Sequence, residues 1–314
     1  MKNKISHLIM IPWTGLGAFS GYRGDAWLKN RIQIFEQFVL PSLLSQTSKN
    51  FIIWCAWRYE EKSNRIVQEF IEKLNKIKEL RFVQTYSGCP MYDDKYPDSV
   101  ANERLISAIH GASGELINTI GENDFVYMTI NASDDIYFKG MVEEIQKIFA
   151  EQPDIQVITY KKGYIMDYLS GKLAEWNPKT NPPFFTIKFP HKTFIDPFQH
   201  TRYANYKSHE YIEDNLKSFP IYERSFLVGT HLSNISTVFD HPFAGNIFTD
   251  EYRKGILKRF GLTGDEKLIV KSSLCSIIFN KMPYKVKRKL RYLASEKDWV
   301  LKPIFSRVYN FLRS

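Results

Sequence analysis

The run Asp124-Phe125-Val126-Tyr127-Met128-Thr129-Ile130-Asn131-Ala132-Ser133-Asp134-Asp135-Ile136 carries an apolar, β-branched and aromatic stretch into two adjacent carboxylates. A stretch of that length and composition reads as a buried strand. Acids at its carboxyl end stand at the edge of a sheet, where open α/β folds bind ligands. Hard divalent cations prefer carboxylate oxygens, and Mg²⁺ is often held by one or two carboxylates together with substrate phosphates. Asp134 and Asp135 therefore point to a nucleoside-diphosphate site with a bridging metal. The competing reading is a solvated turn, because Asn, Ser and Asp all favour turns.

Two acids can act only if other elements bring partners to them. Residues 5–12 read as a first strand, followed by a loop containing Gly15, Gly17, Gly21 and Gly24. That glycine spacing matches neither a dinucleotide fingerprint nor a phosphate-binding loop. Residues 26–46 have helical periodicity through Ile32, Phe35, Phe38, Val39 and Leu43, with Pro41 predicting a break or a new first turn. Phe51–Trp57 reads as a second buried strand, residues 62–78 as an amphipathic helix, and Arg81–Gln84 as the start of a third strand. A helix over 99–112, the acidic strand, a helix over 140–150 and a strand over 155–160 continue the alternation. Strands alternating with helices predict an α/β fold: a mostly parallel sheet with helices on both faces. After 160 the pattern changes to short β segments at 163–168 and 184–187, joined by the Pro/Asn-rich link 177–183. Irregular, aromatic-rich sequence of this kind suits a half of the molecule that shapes a substrate.

The composition leaves room for a large core: 314 residues, 44% of them hydrophobic and 15% aromatic. Cys55, Cys89 and Cys275 are few, odd in number and far apart, which suits buried thiols in a reducing compartment better than a disulfide frame or a zinc site. The apolar run near the start is too brief for a signal core and is broken by Pro12. No run reaches the roughly 18 apolar residues of a membrane span. The net charge of +9 is concentrated at the end: the stretch 281–314 has ten Lys/Arg against Glu296 and Asp298, interleaved with Tyr284, Trp299, Phe305 and Phe311. Basic amphipathic helices rich in Trp and Phe lie on anionic membrane surfaces. The alternative is a C-terminal helix packed on the body with a solvated basic face. Nucleic acid is not expected as a partner, because no recognisable binding motif accompanies the basic face.

Three further stretches resemble a known family. Arg31-Ile32-Gln33-Ile34-Phe35-Glu36, Leu40-Pro41-Ser42-Leu43, Gln46-Thr47 and Phe51 look like the opening of rhamnosyltransferase-like proteins of bacterial polysaccharide synthesis. Those proteins resemble nucleotide-sugar glycosyltransferases of the GT-A fold. Asp134-Asp135 falls where that family places an Asp-x-Asp-Asp metal motif. The stretch Gly229-Thr230-His231-Leu232-Ser233-Asn234-Ile235-Ser236 looks like its late Gly-His-x-x-Asn-x-Ser element, with one extra residue after the glycine. The resemblance covers roughly residues 1–245. One departure matters: Ala132 stands where the family has the leading Asp, and the neighbouring Asn131 offers only a neutral amide oxygen. Either Asp134 and Asp135 suffice with the diphosphate, or metal dependence is weak.

The resemblance implies a set of site residues. Asp134 is the first metal ligand and contacts the donor, Asp135 is a second ligand or an outer acceptor, and His231 completes the metal or phosphate site; a His bonded to the backbone is its alternative. Arg104, opening the helix before the acidic strand, contacts the diphosphate, or else pairs with Glu103 or Asp98 on the surface. Pro12, Trp13 and Arg31 border the base pocket, although Trp13 could equally be core. Glu213-Asp214 is the candidate general base of an inverting transferase, against a solvated helix face; Asp167 and Asp196 are weaker acids for the role, and His200 and His241 weaker alternatives to His231. Tyr164, Trp176, Phe184 and Phe185 form a platform for acceptor sugars or part of the core.

These readings combine into a GT-A-like glycosyltransferase domain over 1–250, with a nucleotide-sugar half (1–160) and an acceptor half (161–250), followed by a basic helical extension over 251–314. It is expected to move a sugar from a nucleotide-diphosphate donor, with rhamnose one option, to a saccharide or lipid-linked oligosaccharide, using Mn²⁺ or Mg²⁺. It is expected to be cytoplasmic and peripheral at the inner face of the membrane. The alternatives are a non-catalytic nucleotide-sugar or saccharide-binding protein and a nucleotidyltransferase on a similar fold.

Overall fold

The computed structural model describes residues 4–15, 25–89, 100–204, 209–231, 237, 239 and 243–266. Four strands, β1 (Ile5–Ile11), β2 (Ile52–Arg58), β3 (Arg81–Gly88) and β4 (Phe125–Ile130), lie parallel in the order β3-β2-β1-β4. Their side chains alternate between two cores: Ile9, Ile11, Ile53 and Cys55 face one, and Leu8, Met10, Ile52 and Trp54 the other. That period of two is the strand geometry itself, and burial on both faces explains why these segments read as continuous apolar runs. Because the block is parallel, the carboxyl ends of all four strands share one edge.

Helices cover both faces. The first, α1 (Asp25–Ile34), passes without interruption into a π-helical stretch, Phe35–Val39, and then α2 (Leu40–Leu44). Pro41 sits in the first turn of α2, and Leu40 donates back to the Phe35 carbonyl, five residues away. Of the two outcomes the sequence allowed at Pro41, a break or a new first turn, the structure has the new first turn, reached through the wider π turn without interruption of the helix. Next, α3 (Arg65–Leu74) buries Val67, Phe70, Ile71 and Leu74, and the Asn64 side chain caps it by accepting from Ile66 N at 2.9 Å. On the opposite face, α4 (Ala101–Ile120) buries Ala108, Ile109, Ala112 and Leu116.

The second half extends the sheet with mostly antiparallel pairs. It contains β5 (Ile136–Tyr137), α5 (Met141–Glu151), β6 (Val157–Asp167), β7 (Leu173–Trp176), β8 (Phe185–Pro190), α6 (His191–Ile195), α7 (Pro197–Ala204), α8 (Ile212–Asn215), β9 (Ser218–Thr230), β10 (Ala244–Ile247) and α9 (Asp250–Lys258). The strand β8 runs antiparallel to both β4 and β6, while β9 runs parallel to β6 and pairs with β5. The segments 155–160 and 163–168, expected to be separate, belong to the single strand β6. Its Lys161-Lys162 pair marks shifts in register against β9. Such irregularities bend and twist a strand without ending it, and this one curls the sheet so that the ends of β6 and β9 return to the turn after β4. There the Tyr168 hydroxyl donates to the Asp134 carbonyl at 2.8 Å.

The architecture is α/β with helices on both faces, as the sequence led one to expect, but the sheet is mixed: the expected parallel pairing holds among β1–β4 and between β6 and β9, and the other described pairs are antiparallel. The packed body runs past residue 250. Leu257, Phe260 and Leu262 are buried, Phe260 meets Tyr164 edge to face, and Lys139 N donates to Arg259 O at 2.9 Å. Gly261, at φ +77°, lies against Ser45 where a side chain would collide. The basic stretch 281–314 lies outside the described residues. Among the described residues, no helix is long and apolar enough to cross a membrane.

Candidate functional site

The turn after β4 is built by Asn131. Its N–H donates to Met10 O at 2.9 Å, continuing the β1–β4 ladder by one residue. Its side-chain amide donates to the carbonyls of Ala132 (2.9 Å) and Asp135 (3.1 Å). Asn131 is therefore a turn-forming residue whose amide is committed to the backbone. The turn presents Asp134 and Asp135 at the carboxyl edge of the parallel strands, and both are buried, at 8% and 9% exposure.

Partners converge on Asp134 from two distant elements. From α1, the Arg31 guanidinium forms an ion pair through Nη1 to Asp134 Oδ2. From the end of β9, His231 Nε2 lies 3.0 Å from the same oxygen. An ionised carboxylate only accepts, so Nε2 carries the proton and donates to it. The 3.3 Å approach of Arg31 Nη1 to His231 Nε2 then joins two donors gathered around one oxygen. One turn before Arg31 on α1, the Trp27 ring lies 5.4 Å from its guanidinium carbon. Arg31 itself is 5% exposed, and its Nε–H has no hydrogen-bond partner.

The second carboxyl has a different environment. Asp135 Oδ1 accepts from Gly229 N at 2.9 Å. A β-carbon at Gly229 would collide with the Asp134 carbonyl and the Tyr168 ring, so only glycine lets β9 approach this closely. Tyr168 in turn stacks on Phe38, with ring centroids 3.7 Å apart. For Asp134, burial alone would push the pKa up; the Arg31 charge and the His231 contact outweigh it and hold the carboxyl well below its usual range. For Asp135, burial and the neighbouring Asp134 charge both push upward and leave it well above that range. The shared surroundings therefore push the two carboxyls in opposite directions.

This donor set does not match a divalent-metal cage. Asp134 Oδ2 is shared by two cationic or N–H donors, Asp135 has one oxygen taken by Gly229, and Ala132 contributes nothing. No cluster of three or more His, Cys, Asp or Glu residues placed to hold a metal occurs among the described residues.

The other predicted residues lie in several places. Trp13 is packed in the core, stacked on Trp57 at 4.8 Å and meeting Phe35 and Phe70, so its faces are occupied by protein. Pro12 beside it is half-buried at the end of β1. Arg104 lies in the first turn of α4, at the same edge of the sheet, and no described contact joins it to Asp134. Glu213 on α8 is bonded to Lys161 and Thr159 of β6 and is not linked to the Asp134 cluster by any described contact. Burial raises its pKa, but the hydrogen bonds from Lys161 and Thr159 prevail and hold it below the ordinary glutamate range. Asp214 is exposed on the same short helix.

Asp167 accepts from Leu169 N and Ser170 Oγ in the β6–β7 turn, and Asp196 accepts from the backbone of Phe198 and Gln199 at the start of α7. Both are turn and cap residues. His200 is buried, with Nδ1 2.9 Å from Phe194 O, and His241 lies outside the described residues. Tyr164, Trp176, Phe184 and Phe185 are all buried, so of the two readings open to them, sugar platform or core, the structure has the core.

Sequence reasoning missed Tyr168, Trp27 and the Thr14–Glu61–Arg58 network. Glu61 is buried and accepts from Thr14 Oγ1 (2.8 Å), Arg58 N (2.9 Å) and Arg58 Nη2 (2.9 Å), tying the ends of β1 and β2 together. The Arg-x-x-Glu spacing of Arg58 and Glu61 was the one local signal for it.

Comparison with known proteins finds a family likeness over one segment and weak likenesses to solved structures. Residues 22–85 match the family described as "Putative rhamnosyl transferase". That segment contains Arg31 and runs from the start of α1 into β3; it includes neither Asp134 nor His231. No curated protein matches the chain. Among solved structures, S. aureus TarS 1-349 is 12% identical at a TM-score of 0.35, covering 73% of this chain and 61% of that one. A "putative nucleotide-diphospho-sugar transferase" from Desulfovibrio desulfuricans G20 is 10% identical at 0.33, covering 74% and 84%. The chain thus spans about three fifths of the TarS segment it aligns with.

Proposed function

We propose that this chain is a glycosyltransferase that binds a nucleotide-diphosphate sugar at the Arg31–Asp134–His231 cluster and passes the sugar to a saccharide hydroxyl. The observation that carries this reading is the buried Arg31–Asp134 ion pair with His231, set at the carboxyl edge of a parallel α/β sheet. The family match over residues 22–85, which includes Arg31, supports it. In such a transfer the bond from the sugar carbon to the diphosphate oxygen breaks, the diphosphate leaves with the electron pair, and the acceptor oxygen forms the new bond. A fixed guanidinium beside the leaving group offsets the charge that develops there.

The acceptor hydroxyl must also lose a proton. Glu213 is the proposed base, kept ionised by Lys161. Beside it lies a hollow of about 290 Å³ lined by Lys161, Lys162, Lys179, Asn177, Asn181 and the exposed ring of Tyr222. Lysines, amides and a tyrosine face suit a polar, anionic saccharide. Rhamnose as the donor sugar and a role in surface polysaccharide synthesis are proposed from the family description. The basic, aromatic stretch 281–314 is proposed to bring the protein to an anionic membrane bearing a lipid-linked acceptor. Deleting it is expected to move the protein to the soluble fraction and to leave turnover on a soluble acceptor intact.

The test is release of nucleoside diphosphate from a panel of nucleotide sugars, with a saccharide acceptor present. Release that depends on both donor and acceptor supports the transferase. Release of inorganic pyrophosphate would mark a nucleotidyltransferase instead. Binding without turnover would mark a saccharide- or nucleotide-sugar-binding protein.

A further inference from the structure

A diphosphate can be held by a bridging metal or by a guanidinium, which offers a rigid fork of donors matched to phosphate oxygens. A metal needs ionised oxygen ligands directed at one point. Here the leading acid of the expected motif is Ala132, the Asn131 side chain is held by its NH2 group donating to the turn carbonyls and offers only a neutral amide oxygen, and Asp135 Oδ1 takes the Gly229 N–H. Asp134 Oδ2 is already occupied by Arg31 and His231.

What the site does hold is a buried cation with a donor to spare. Arg31 is 5% exposed, and its Nε–H has no hydrogen-bond partner. A buried donor left unmade is costly, because it has lost its water and gained nothing in return. Such a group is what an incoming oxyanion would satisfy. Trp27 and Asp134 together fix the guanidinium, so its position does not depend on the ligand.

We infer that Arg31 is the resident cation of the diphosphate site and that the donor binds there without a divalent metal. This rests on the transferase reading above. Asp134 then acts as a positioning residue that holds Arg31, and His231 steadies Asp134. The two roles open to Asp134 give opposite signs. As a metal ligand, Asp134→Asn removes binding. As the counter-charge of Arg31, Asp134→Asn keeps an acceptor for the guanidinium and frees its charge for the diphosphate.

The experiment is calorimetric titration of the full chain with UDP, GDP, CDP, ADP and dTDP, in excess EDTA and again in Mn²⁺, with circular dichroism of each variant as the folding check. The expected result is that at least one nucleoside diphosphate binds in EDTA, with Kd changed less than about threefold by Mn²⁺. Arg31→Lys is expected to weaken binding by roughly tenfold, since a point charge replaces a fork. Asp134→Asn is expected to retain or tighten it. Binding that requires Mn²⁺ and disappears in Asp134→Asn would overturn the inference and leave the donor-site reading standing. Absence of binding by every nucleotide in both buffers, with the protein folded, would overturn both. If the Arg31 variant does not fold, the Mn²⁺ comparison and Asp134→Asn still decide.

Discussion

Arg31 of the first helix and Asp134 of the turn after β4 meet as an ion pair at which both side chains are almost entirely out of water. Removing one member of such a pair strands the other as an uncompensated buried charge. Arg31→Ala is therefore expected to cost about 3–5 kcal/mol in stability. The loss should be read by urea denaturation at neutral pH. It should shrink in acid: Asp134 has a depressed pKa, so its contribution is present above the ordinary carboxylate range and fades as pH falls through and below it. An equal loss at every pH would show that packing of the arginine stem, and not its charge, is what matters.

Asp135 has the opposite sign. Its pKa is raised in the folded state, so the folded protein holds a proton that the unfolded chain gives up above the ordinary carboxylate range. Its contribution is complete below that range and diminishes as pH rises. Asp135→Asn removes this cost and keeps an oxygen for Gly229 N–H. The variant is expected to be more stable than the parent at pH 7 and to lose that advantage near pH 4. Denaturation midpoints at the two pH values check the crossover.

Gly229→Ala tests the close approach of β9 to the acidic turn. The added carbon would meet the Asp134 carbonyl and the Tyr168 ring, neither of which can retreat, because Tyr168 is stacked on Phe38. Overpacking of this kind costs typically about 1–3 kcal/mol. The displaced turn should also weaken nucleotide binding. Thermal melts and the titration described above measure the two effects separately.

Trp13 was a candidate for stacking on the nucleobase, and the structure gives its faces to Trp57, Phe35 and Phe70. Trp13→Phe is expected to lower stability by about 1–3 kcal/mol through lost packing. Nucleotide Kd should stay within about twofold, within the noise of a fraction of 1.4 kcal/mol. A large rise in Kd with little loss of stability would return Trp13 to the base pocket.

The proposed base makes a kinetic prediction. Glu213 has a pKa held below the ordinary glutamate range by Lys161 and Thr159. Glu213→Gln is expected to lower kcat by roughly 100-fold or more and to leave donor Kd unchanged. In Lys161→Met the acidic limb of the kcat/KM profile should move to higher pH, because the hydrogen bond and charge that favour the carboxylate are gone. An unmoved limb would remove Glu213 from the role.

The sequence made the first half legible. Apolar runs of strand length, amphipathic helices between them and the Asn-Ala-Ser-Asp-Asp turn are local patterns, set by residues within a few positions of one another. The second half was less legible, for identifiable reasons. The segments 155–160 and 163–168 read as separate, yet β6 runs through Lys161 and Lys162 by a shift in register, with Lys161 reaching Glu213. Pro41 left a break and a new first turn open, and it took the π stretch before it to carry the helix into a new first turn. Four aromatic residues left platform and core open, and only their burial in three dimensions assigns them to the core.

The acidic pair at a strand end, the α/β alternation and the family-like opening around Arg31 were determined by the sequence alone, because composition and periodicity are enough to specify them. The tertiary structure decided which cation Asp134 meets, in which direction the pKa of each acid is pushed, and that Gly229 must be a glycine. Those outcomes depend on how α1 and the end of β9, distant in the chain, approach one turn, and on how much water they exclude there. Coulomb interaction and desolvation depend on distance and burial in space, which spacing along the chain does not encode.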